Sequence, residues 1–386
     1  MTAFIACLLN DLNDGAKPAL CDVFGGFAGV TEFRSSPTAN AIRAACAAAP
    51  QKIIHICAKS SGSERLAGTP SVPSRHSDPQ TEHNVFVIFG ASGHVGQASA
   101  TALRRAGHQV RAVVRDAAQT EALAAIGCEI ALADLNDAES VARAIDGAQA
   151  VQWLCPVPRA HDDPAAAMRH IIDAGVDALR MTTPPRLLAL SDYGAEHPDG
   201  TGITTLFHYL ETQLLRNVAS SLILLRAAEH MQNWARVLPV ALGRGVLPSL
   251  HDPLDKLFPT VAAEDVGKLA AQLLLDEAPT RATPRVVSIE GKERVSALDV
   301  ARTLAELSGR PVIAQRVPRD EWSAVLRGAG LGERHAQLIV DLYDAHNAGR
   351  IDVEANVSER RFGATTLRQV LEALLSRVGG MEAAAR

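Results

Sequence analysis

The sequence lacks three features that would each indicate a particular class of protein. No apolar run approaches the roughly 20 residues that a membrane-spanning helix needs. The 38 Lys and Arg residues are scattered and are outnumbered by 43 Asp and Glu, so a basic nucleic-acid-binding face is not expected. The short apolar stretch near the N-terminus has no basic segment before it and does not read as a signal peptide. We therefore expect a cytoplasmic protein that binds neither membranes nor nucleic acid directly.

Paired cysteines are also missing. The six cysteines form no CxxC pair and show no zinc-ligand spacing. Free thiols in a reducing compartment are the simplest account. A metal site built from His208, Glu211 and His230 would lack a further ligand at a diagnostic spacing, so we predict no metal. The cysteines are Cys7, Cys21, Cys46, Cys57, Cys128 and Cys155.

The strongest pattern present is a strand–turn–helix–strand unit in residues 85–116. It opens with the unbroken apolar run VFVIF, which is typical of a strand buried on both faces. The turn Gly90-Ala91-Ser92-Gly93-His94-Val95-Gly96 follows, and a helical pattern then runs to about residue 106 and stops at Gly107. A second strand is predicted over residues 109–114. This context separates the turn from an ordinary glycine-rich surface loop.

The three glycines of the turn each have a physical function. Gly90 allows a sharp turn off the strand, Gly93 allows a pyrophosphate to approach the backbone, and Gly96 allows the helix to pack tightly. Free N–H groups at the helix start favour an anion there. We therefore predict that the seven residues of the turn bind a dinucleotide.

The residue after the second strand indicates which dinucleotide. An acidic residue there would favour the ribose 2′-hydroxyl of NAD, whereas an arginine favours the 2′-phosphate of NADP. Arg115 holds this position, and Asp116 follows it. We predict NADP(H) as the preferred cofactor, with NAD(H) as an alternative if Arg115 is only a surface arginine.

Strands and helices continue to alternate to about residue 225. This alternation predicts an α/β fold with a doubly wound parallel sheet and right-handed crossovers. Ligands of such sheets bind beyond the carboxyl ends of the strands, which makes Asp134, Cys155, Pro156, Ser191 and Tyr193 candidate site residues. The helix predicted from residue 165 is expected to end at Gly175.

The chain of 386 residues is long enough for about two domains. Residues 1–84 end in a polar segment rich in Ser, Pro and Gly, which cannot bury enough apolar area to offset chain entropy. We predict that they are a largely disordered extension and linker. Residues 85–230 would form the dinucleotide-binding domain. Residues 231–386 would form a smaller α/β part that covers the substrate.

Taken together, these residues resemble the NmrA-like branch of the atypical short-chain dehydrogenase/reductases over about residues 85–375. The resemblance implies a Rossmann fold that binds NADP(H) or NAD(H). It also implies that Asp134 lies by the adenine, that Leu135 belongs to the cofactor site, and that Cys155, Pro156 and Val157 border the nicotinamide. The matching segments are residues 90–96, 114–116, 133–135, 190–191 with 194–195, 208–211, 225–226 with 231–233, 264–267 and 309–312.

The chain departs from the superfamily at the catalytic positions. The usual Tyr, and the Lys four residues later, are replaced by Thr204 and His208. We predict that His208 contacts the nicotinamide ribose or donates a proton, that Ser191 keeps the serine role, and that Tyr193 substitutes as an acid or binds the substrate. The alternatives are an ordinary half-buried histidine and a loop aromatic.

The resemblance implies an NAD(P)H-dependent reductase that passes hydride to a quinone, azo or carbonyl-type small-molecule acceptor. Such an acceptor can take its proton from water, so loss of the Tyr and Lys is tolerable. The alternative is a non-catalytic redox-sensing regulator that binds NADP(H) and acts through a protein partner.

Overall fold

The computed structural model describes residues 85–158, 160–276, 284–356 and 359–384. The predicted extension, residues 1–84, lies outside this range. The strands of the described residues are β1 (Val85–Phe89), β2 (Gln109–Val114), β3 (Glu129–Leu132), β4 (Ala148–Trp153), β5 (Arg186–Asp192), β6 (Ser221–Ala227), β7 (Glu229–His230), β8 (Val246–Ser249), β9 (Thr260–Val261), β10 (Arg285–Gly291), β11 (Ile313–Arg316) and β12 (Glu359–Gly363).

Eight of these strands form one parallel sheet. Their order is β3-β2-β1-β4-β5-β6-β10-β12, while β8 pairs with β11 and β7 with β9. Because β1 lies between β2 and β4, the direction of winding reverses beside β1, and ligands of such sheets bind beyond the carboxyl ends of the strands at this point. The predicted doubly wound sheet is confirmed.

Helices connect the strands and cover both the sheet and its carboxyl edge. No helix of the described residues combines the length and apolar composition that a membrane crossing requires. The helices are α1 (His94–Arg105), α2 (Glu121–Ala125), α3 (Ala138–Ile145), α4 (Pro164–Thr182), α5 (Thr205–Asn217), α6 (Leu238–Arg244), α7 (Ala263–Leu275), α8 (Ala297–Ser308), α9 (Trp322–Gly328), α10 (Glu333–Asn347) and α11 (Leu367–Ala384).

Helix α4 corrects one prediction. It continues through Gly175 to Thr182 instead of ending at the glycine. A Cβ on Gly175 would lie 2.3 Å from Cζ2 of Trp153, so the glycine serves the packing of α4 on β4. Gly in a helix is compatible with helical structure at a cost of about 1 kcal/mol, and here it removes a steric clash. The helix ends at Thr183, which has a positive φ of 42°.

Strand β12 was not predicted, because its sequence ERRFG has no apolar run. It pairs with β10 at the edge of the main sheet, where Phe362 is 52% exposed. An edge strand can carry charged side chains without a burial cost. Strands β10 and β12 thus extend the sheet with residues that follow position 230.

Two hydrophobic clusters hold the fold together. The main cluster surrounds the eight-stranded sheet. The second cluster joins the 3₁₀ helix Met231–Arg236 to α6, α8 and α11, with Trp234, Leu304 and Leu371 among its buried members. This second cluster fixes the helices that follow β6 relative to one another.

Candidate functional site

The turn between β1 and α1 has the geometry that the glycine pattern predicts at its first glycine. Gly90 has a φ of +67°, which L side chains rarely adopt. A Cβ on Gly90 would also approach Cδ2 of Leu154 to 2.9 Å. Leu154 directly follows β4, so the close approach at Gly90 brings the ends of β1 and β4 together.

The third glycine packs the helix against the turn. A Cβ on Gly96 would lie 2.3 Å from the carbonyl oxygen of Gly90. Gly93 is the N-cap of α1, no side chain caps the helix, and its first turn contains no acidic residue. The helix start therefore offers backbone N–H groups and the positive end of the helix dipole to an anion. A turn that packs against the helix too closely for a side chain at Gly96, at an uncapped helix start, fits a pyrophosphate.

Arg115 directly follows β2 and is exposed to solvent. Within the described part of the chain it makes no hydrogen bond or ion pair. The neighbouring Asp116 is engaged, because its Oδ1 accepts a hydrogen bond of 2.9 Å from the N–H of Ala118. The guanidinium of Arg115 is therefore available to an incoming phosphate, whereas the Asp116 carboxylate is used by the backbone.

Asp134 and Leu135 follow β3 at the same edge of the sheet. The Oδ1 of Asp134 accepts hydrogen bonds of 2.9 Å from both the backbone and the side-chain nitrogen of Asn136, which lowers the pKa of Asp134. Asp134 is exposed, while Leu135 is half-buried against the core. The pair combines an ionised acceptor with an apolar side chain.

Cys155 and Pro156 follow β4, opposite the glycine turn. Cys155 is fully buried, and burial raises the pKa of its thiol far above the ordinary value. The thiol therefore stays protonated and unreactive. Leu154, which directly precedes Cys155, places an apolar side chain against Gly90.

Ser191, at the end of β5, belongs to a buried ionic cluster. Its hydroxyl donates a hydrogen bond of 2.6 Å to Oε1 of Glu211 on α5. Arg226 on β6 holds both oxygens of the same carboxylate, with Nε–Oε1 at 2.9 Å and Nη2–Oε2 at 2.7 Å. Ser191, Glu211 and Arg226 are all at most 6% exposed. The Ser191 hydroxyl is thus committed to a bidentate arginine–carboxylate pair.

Two further carboxylates reach Arg226. Its Nη1 lies 3.2 Å from Glu196 and 2.5 Å from Glu354. Burial raises the pKa of Glu196, against the charge of Arg226. Glu196 and Glu354 lie 158 positions apart, from 354 minus 196, and no spacing in the sequence indicates that they meet.

Tyr193 and Thr204 occupy the loop that follows β5. Tyr193 is 1% exposed, its hydroxyl has no hydrogen-bond partner in the described residues, and burial raises its pKa. Thr204 is fully buried and donates a hydrogen bond of 3.3 Å to Asp192. Neither hydroxyl faces solvent in this arrangement.

His208 lines a cavity of about 500 Å³ between α4, α5 and α10. Its Nδ1 lies 2.9 Å from the carbonyl oxygen of Ala195, and its Nε2 lies 3.4 Å from the hydroxyl of Thr212. Arg169, Tyr209 and Arg216 also line the cavity, but no residue of the glycine turn does. Of Ser191, Tyr193 and His208, the histidine is the one that borders this open space.

A second polar cluster lies just beyond the end of β6. Oε1 of Glu229 accepts hydrogen bonds from Asn233 at 2.9 Å and Tyr343 at 3.2 Å, and its Oε2 lies 3.2 Å from Nε2 of His251. Burial disfavours the carboxylate, but the hydrogen bond and charge of His251 outweigh it and lower the pKa of Glu229 to about 2. The sequence pattern did not indicate this cluster. Across the described residues, no three His, Cys, Asp or Glu side chains are arranged to hold a metal.

The buried His346 is expected to make the fold sensitive to acid. Burial lowers its pKa to about 4, with Glu229 opposing the shift and His251 and Lys256 adding to it. The native state prefers the neutral ring of His346. The folding stability that this preference contributes is therefore fully present above pH 6.5 and is lost as pH falls from 6.5 towards 4. Between pH 7 and pH 5 we expect a loss of about 2 kcal/mol in unfolding free energy from this group.

Urea unfolding at pH 7 and pH 5 measures this effect. His346→Gln should show a smaller loss of stability between the two pH values than the parent protein. His170→Gln, at an exposed position, should keep the full loss. An unchanged pH dependence in His346→Gln would contradict the prediction.

Comparison with known proteins agrees with the observed fold and with a nicotinamide dinucleotide as the cofactor. A family model described as NAD(P)H-binding matches residues 90–277. Quinone oxidoreductase 2 of Escherichia coli (strain K12) is 27% identical over 274 residues, covering 67% of this chain and 86% of that protein. The NAD(P)H azoreductase of Xenophilus azovorans is 24% identical over 282 residues, covering 72% and 93% respectively.

Among solved structures, the Citrobacter sp. triphenylmethane reductase complexed with NADP(H) superposes with a TM-score of 0.62. Its sequence is 19% identical, and the match covers 75% of this chain and 99% of that one. At this identity the superposition establishes the shared fold. The fold extends over nearly the whole of the solved protein.

Proposed function

We propose that the protein, whose residues 90–277 match a family model described as NAD(P)H-binding, is an NADP(H)-preferring reductase of the NmrA-like branch. It would pass hydride to a quinone, azo or carbonyl-type acceptor. The observation that carries the proposal is the glycine cradle at the uncapped start of α1, where a Cβ on Gly96 would strike the turn. The two curated relatives, a quinone oxidoreductase and an azoreductase, support the acceptor class.

The bound cofactor would supply the hydride, and the protein would supply binding and orientation. Backbone N–H groups of the turn would hold the pyrophosphate, and Arg115 the 2′-phosphate. Asp134 and Leu135 would lie by the adenine. Cys155 and Pro156 would form a dry wall beside the nicotinamide, with the thiol kept neutral by burial.

The proton for the acceptor is proposed to come from His208 or from water. Ser191 donates to Glu211, and Tyr193 is buried with a raised pKa, so both are poorly suited to donate to a substrate. His208 borders a cavity and has Nε2 directed towards Thr212 at a long 3.4 Å. A quinone or azo acceptor forms a basic product anion that water can protonate, so the chemistry does not require a tyrosine acid.

Arg115→Gln is expected to weaken the binding of NADPH much more than the binding of NADH. A charge-assisted hydrogen bond to a phosphate contributes about 1.5–3 kcal/mol, which corresponds to a rise of roughly 10- to 100-fold in the Kd for NADPH. The Kd for NADH, which has no 2′-phosphate, should change by less than about 3-fold. Fluorescence titration of both cofactors measures the two values.

The control for this prediction is Arg105→Gln, an exposed arginine at the far end of α1. It should leave both constants unchanged. An equal loss of affinity for NADPH and NADH in Arg115→Gln would contradict the assignment to the 2′-phosphate.

Consumption of NADPH against a panel of quinones, azo dyes and carbonyl compounds tests the reductase function. Cofactor binding is measured on the same full-length sample, and Gly96→Ala serves as the variant with a blocked cradle. Turnover well above that of the variant supports the proposal and identifies the acceptor class. Tight binding without turnover of any acceptor would contradict it. Unequal affinities for NADP⁺ and NADPH would then favour the redox-sensing alternative.

A further inference from the structure

His94, the first residue of α1, contacts two elements that come much later in the chain. Its Nδ1 lies 3.5 Å from Oε1 of Glu264 in the first turn of α7. Its Nε2 lies 3.4 Å from Nη1 of Arg377 on α11. The cofactor turn is thereby linked to a helix 283 positions away. The glycine pattern places His94 in the turn but gives no indication of either partner.

Glu264 holds the imidazole in a fixed orientation. Its other oxygen accepts a hydrogen bond of 2.6 Å from Gln232, whose own side-chain oxygen accepts one of 3.1 Å from the N–H of Ala263. Burial opposes ionisation of Glu264, but the contact with His94 and the backbone outweigh it and lower its pKa. The carboxylate is therefore an ionised acceptor with both oxygens in use.

Helix α7 is itself locked against α1, so this arrangement has a rigid base. Ser99 donates a hydrogen bond of 3.0 Å to the carbonyl oxygen of Gly267. A Cβ on Gly267 would lie 2.3 Å from the carbonyl oxygen of Val95, which shows how closely the two helices approach. The distance between Glu264 and His94 is consequently set by backbone packing.

The contacts with Glu264 and Arg377 indicate which nitrogen of the His94 ring carries the hydrogen. An ionised carboxylate can only accept, so Nδ1 of His94 carries the hydrogen that faces Glu264. A guanidinium can only donate, so Nε2 accepts from Arg377. The histidine thus holds the guanidinium at the start of α1. Glu264 is the carboxylate that faces the Nδ1 side of the ring.

Arg377 has a charge that no carboxylate neutralises. It is exposed, and within the described residues His94 is its hydrogen-bond partner and no acid pairs with it. Arg368, another arginine of α11, differs in this respect because it pairs with Glu306 and Glu372. An unneutralised guanidinium beside an uncapped helix start, where no acidic residue lies in the first turn, is suited to an anion.

We propose that Arg377, positioned by His94 and Glu264, binds the pyrophosphate of the dinucleotide at the start of α1. This inference rests on the cofactor of the proposed function but not on turnover. Arg377 is a binding residue, while His94 and Glu264 are positioning residues. The pyrophosphate is common to NADPH and NADH, so the contribution of Arg377 does not depend on the 2′-phosphate.

Titration of the full-length protein with NADPH and with NADH tests this assignment. Arg377→Gln should raise the Kd of both cofactors by a similar factor of about 10 or more, whereas Arg377→Lys should retain part of the affinity. Glu264→Gln should weaken both by a smaller factor, because it removes the charge that orients His94. Arg368→Gln, on the same helix, is the matched control and should change neither constant.

A comparison of the changes in Kd for NADPH and for NADH distinguishes this inference from the other proposals. A loss for NADPH alone in Arg377→Gln would assign the guanidinium to the 2′-phosphate and overturn the proposal, as would unchanged constants for both. Thermal unfolding of the cofactor-free variants should match the parent protein. A large drop in that Tm would show that Arg377 acts by stabilising α11 and would also overturn it. Absence of turnover with every acceptor would refute the reductase function and leave these binding results intact.

Discussion

Gly96→Ala is expected to weaken NADPH binding by about 100-fold or more while the protein remains folded. The added Cβ would lie 2.3 Å from the carbonyl oxygen of Gly90 and 2.8 Å from Cα of Ala91, both of them backbone atoms that cannot rotate away. The turn must shift, and its N–H groups then no longer converge on the pyrophosphate. Misplacement of a positioned group by about 1 Å can cost roughly 100-fold in the rate of a catalysed reaction, and we expect a comparable loss of affinity here. Fluorescence titration measures the affinity, and circular dichroism checks the fold.

Gly243→Ala is the matched control for this substitution. Gly243 lies in α6, and a Cβ there would meet no atom within 4 Å. Because alanine is the better helix former by about 1 kcal/mol, the control should bind NADPH normally and be slightly more stable. If Gly96→Ala binds as tightly as Gly243→Ala, the turn is not the dinucleotide site.

Arg226→Met is expected to lower the unfolding free energy by about 3–5 kcal/mol, because removal of one partner leaves a buried charge uncompensated. Glu211 is 5% exposed and would keep only Ser191 as a donor. Glu196 and Glu354 would lose the same counter-charge. Urea unfolding at pH 7 measures the loss. Without the arginine the carboxylates become easier to protonate, so the difference from the parent protein should narrow as pH falls.

Two variants control for the uncompensated charge and for the arginine-to-methionine substitution itself. Arg226→Met combined with Glu211→Gln removes both buried charges and should recover part of the stability. Arg302→Met breaks an ion pair in which the arginine is 69% exposed, and should change stability by no more than about 0.5 kcal/mol. A loss in Arg226→Met no larger than that in Arg302→Met would contradict a structural role for the buried cluster.

Much of the nucleotide-binding half could be predicted from local patterns. The run VFVIF, the glycine spacing and the helix that stops before Gly107 each depend on residues close together in sequence, and the structure confirms β1, α1 and β2. The doubly wound sheet follows from the alternation of such units and is also confirmed. A family model described as NAD(P)H-binding matches residues 90–277, which agrees with the cofactor class that the NmrA-like resemblance implies.

Predictions failed where the structure of a segment depends on contacts with residues that are distant in the sequence. Gly175 has the composition of a helix end, yet it lies inside α4 because Trp153 occupies the space of its side chain. Strand β12 has no apolar pattern, and only its pairing with β10 defines it. The roles of Ser191, Tyr193 and His208 remain predictions, because the resemblance and the strand-end positions from which they came carry no information on burial or on the acid that each residue meets.

The sequence by itself determined the parallel sheet, the glycine turn after β1 and the position of Arg115 at the end of β2, since each depends on residues that are close together in the chain. The tertiary structure decided how the side chains at the carboxyl edge combine. It joined Ser191 to Glu211 and Arg226, Glu229 to His251, and His94 to Arg377. Charge pairing and desolvation depend on distances in space between residues far apart in the chain, and only packing of the helices against the sheet sets those distances.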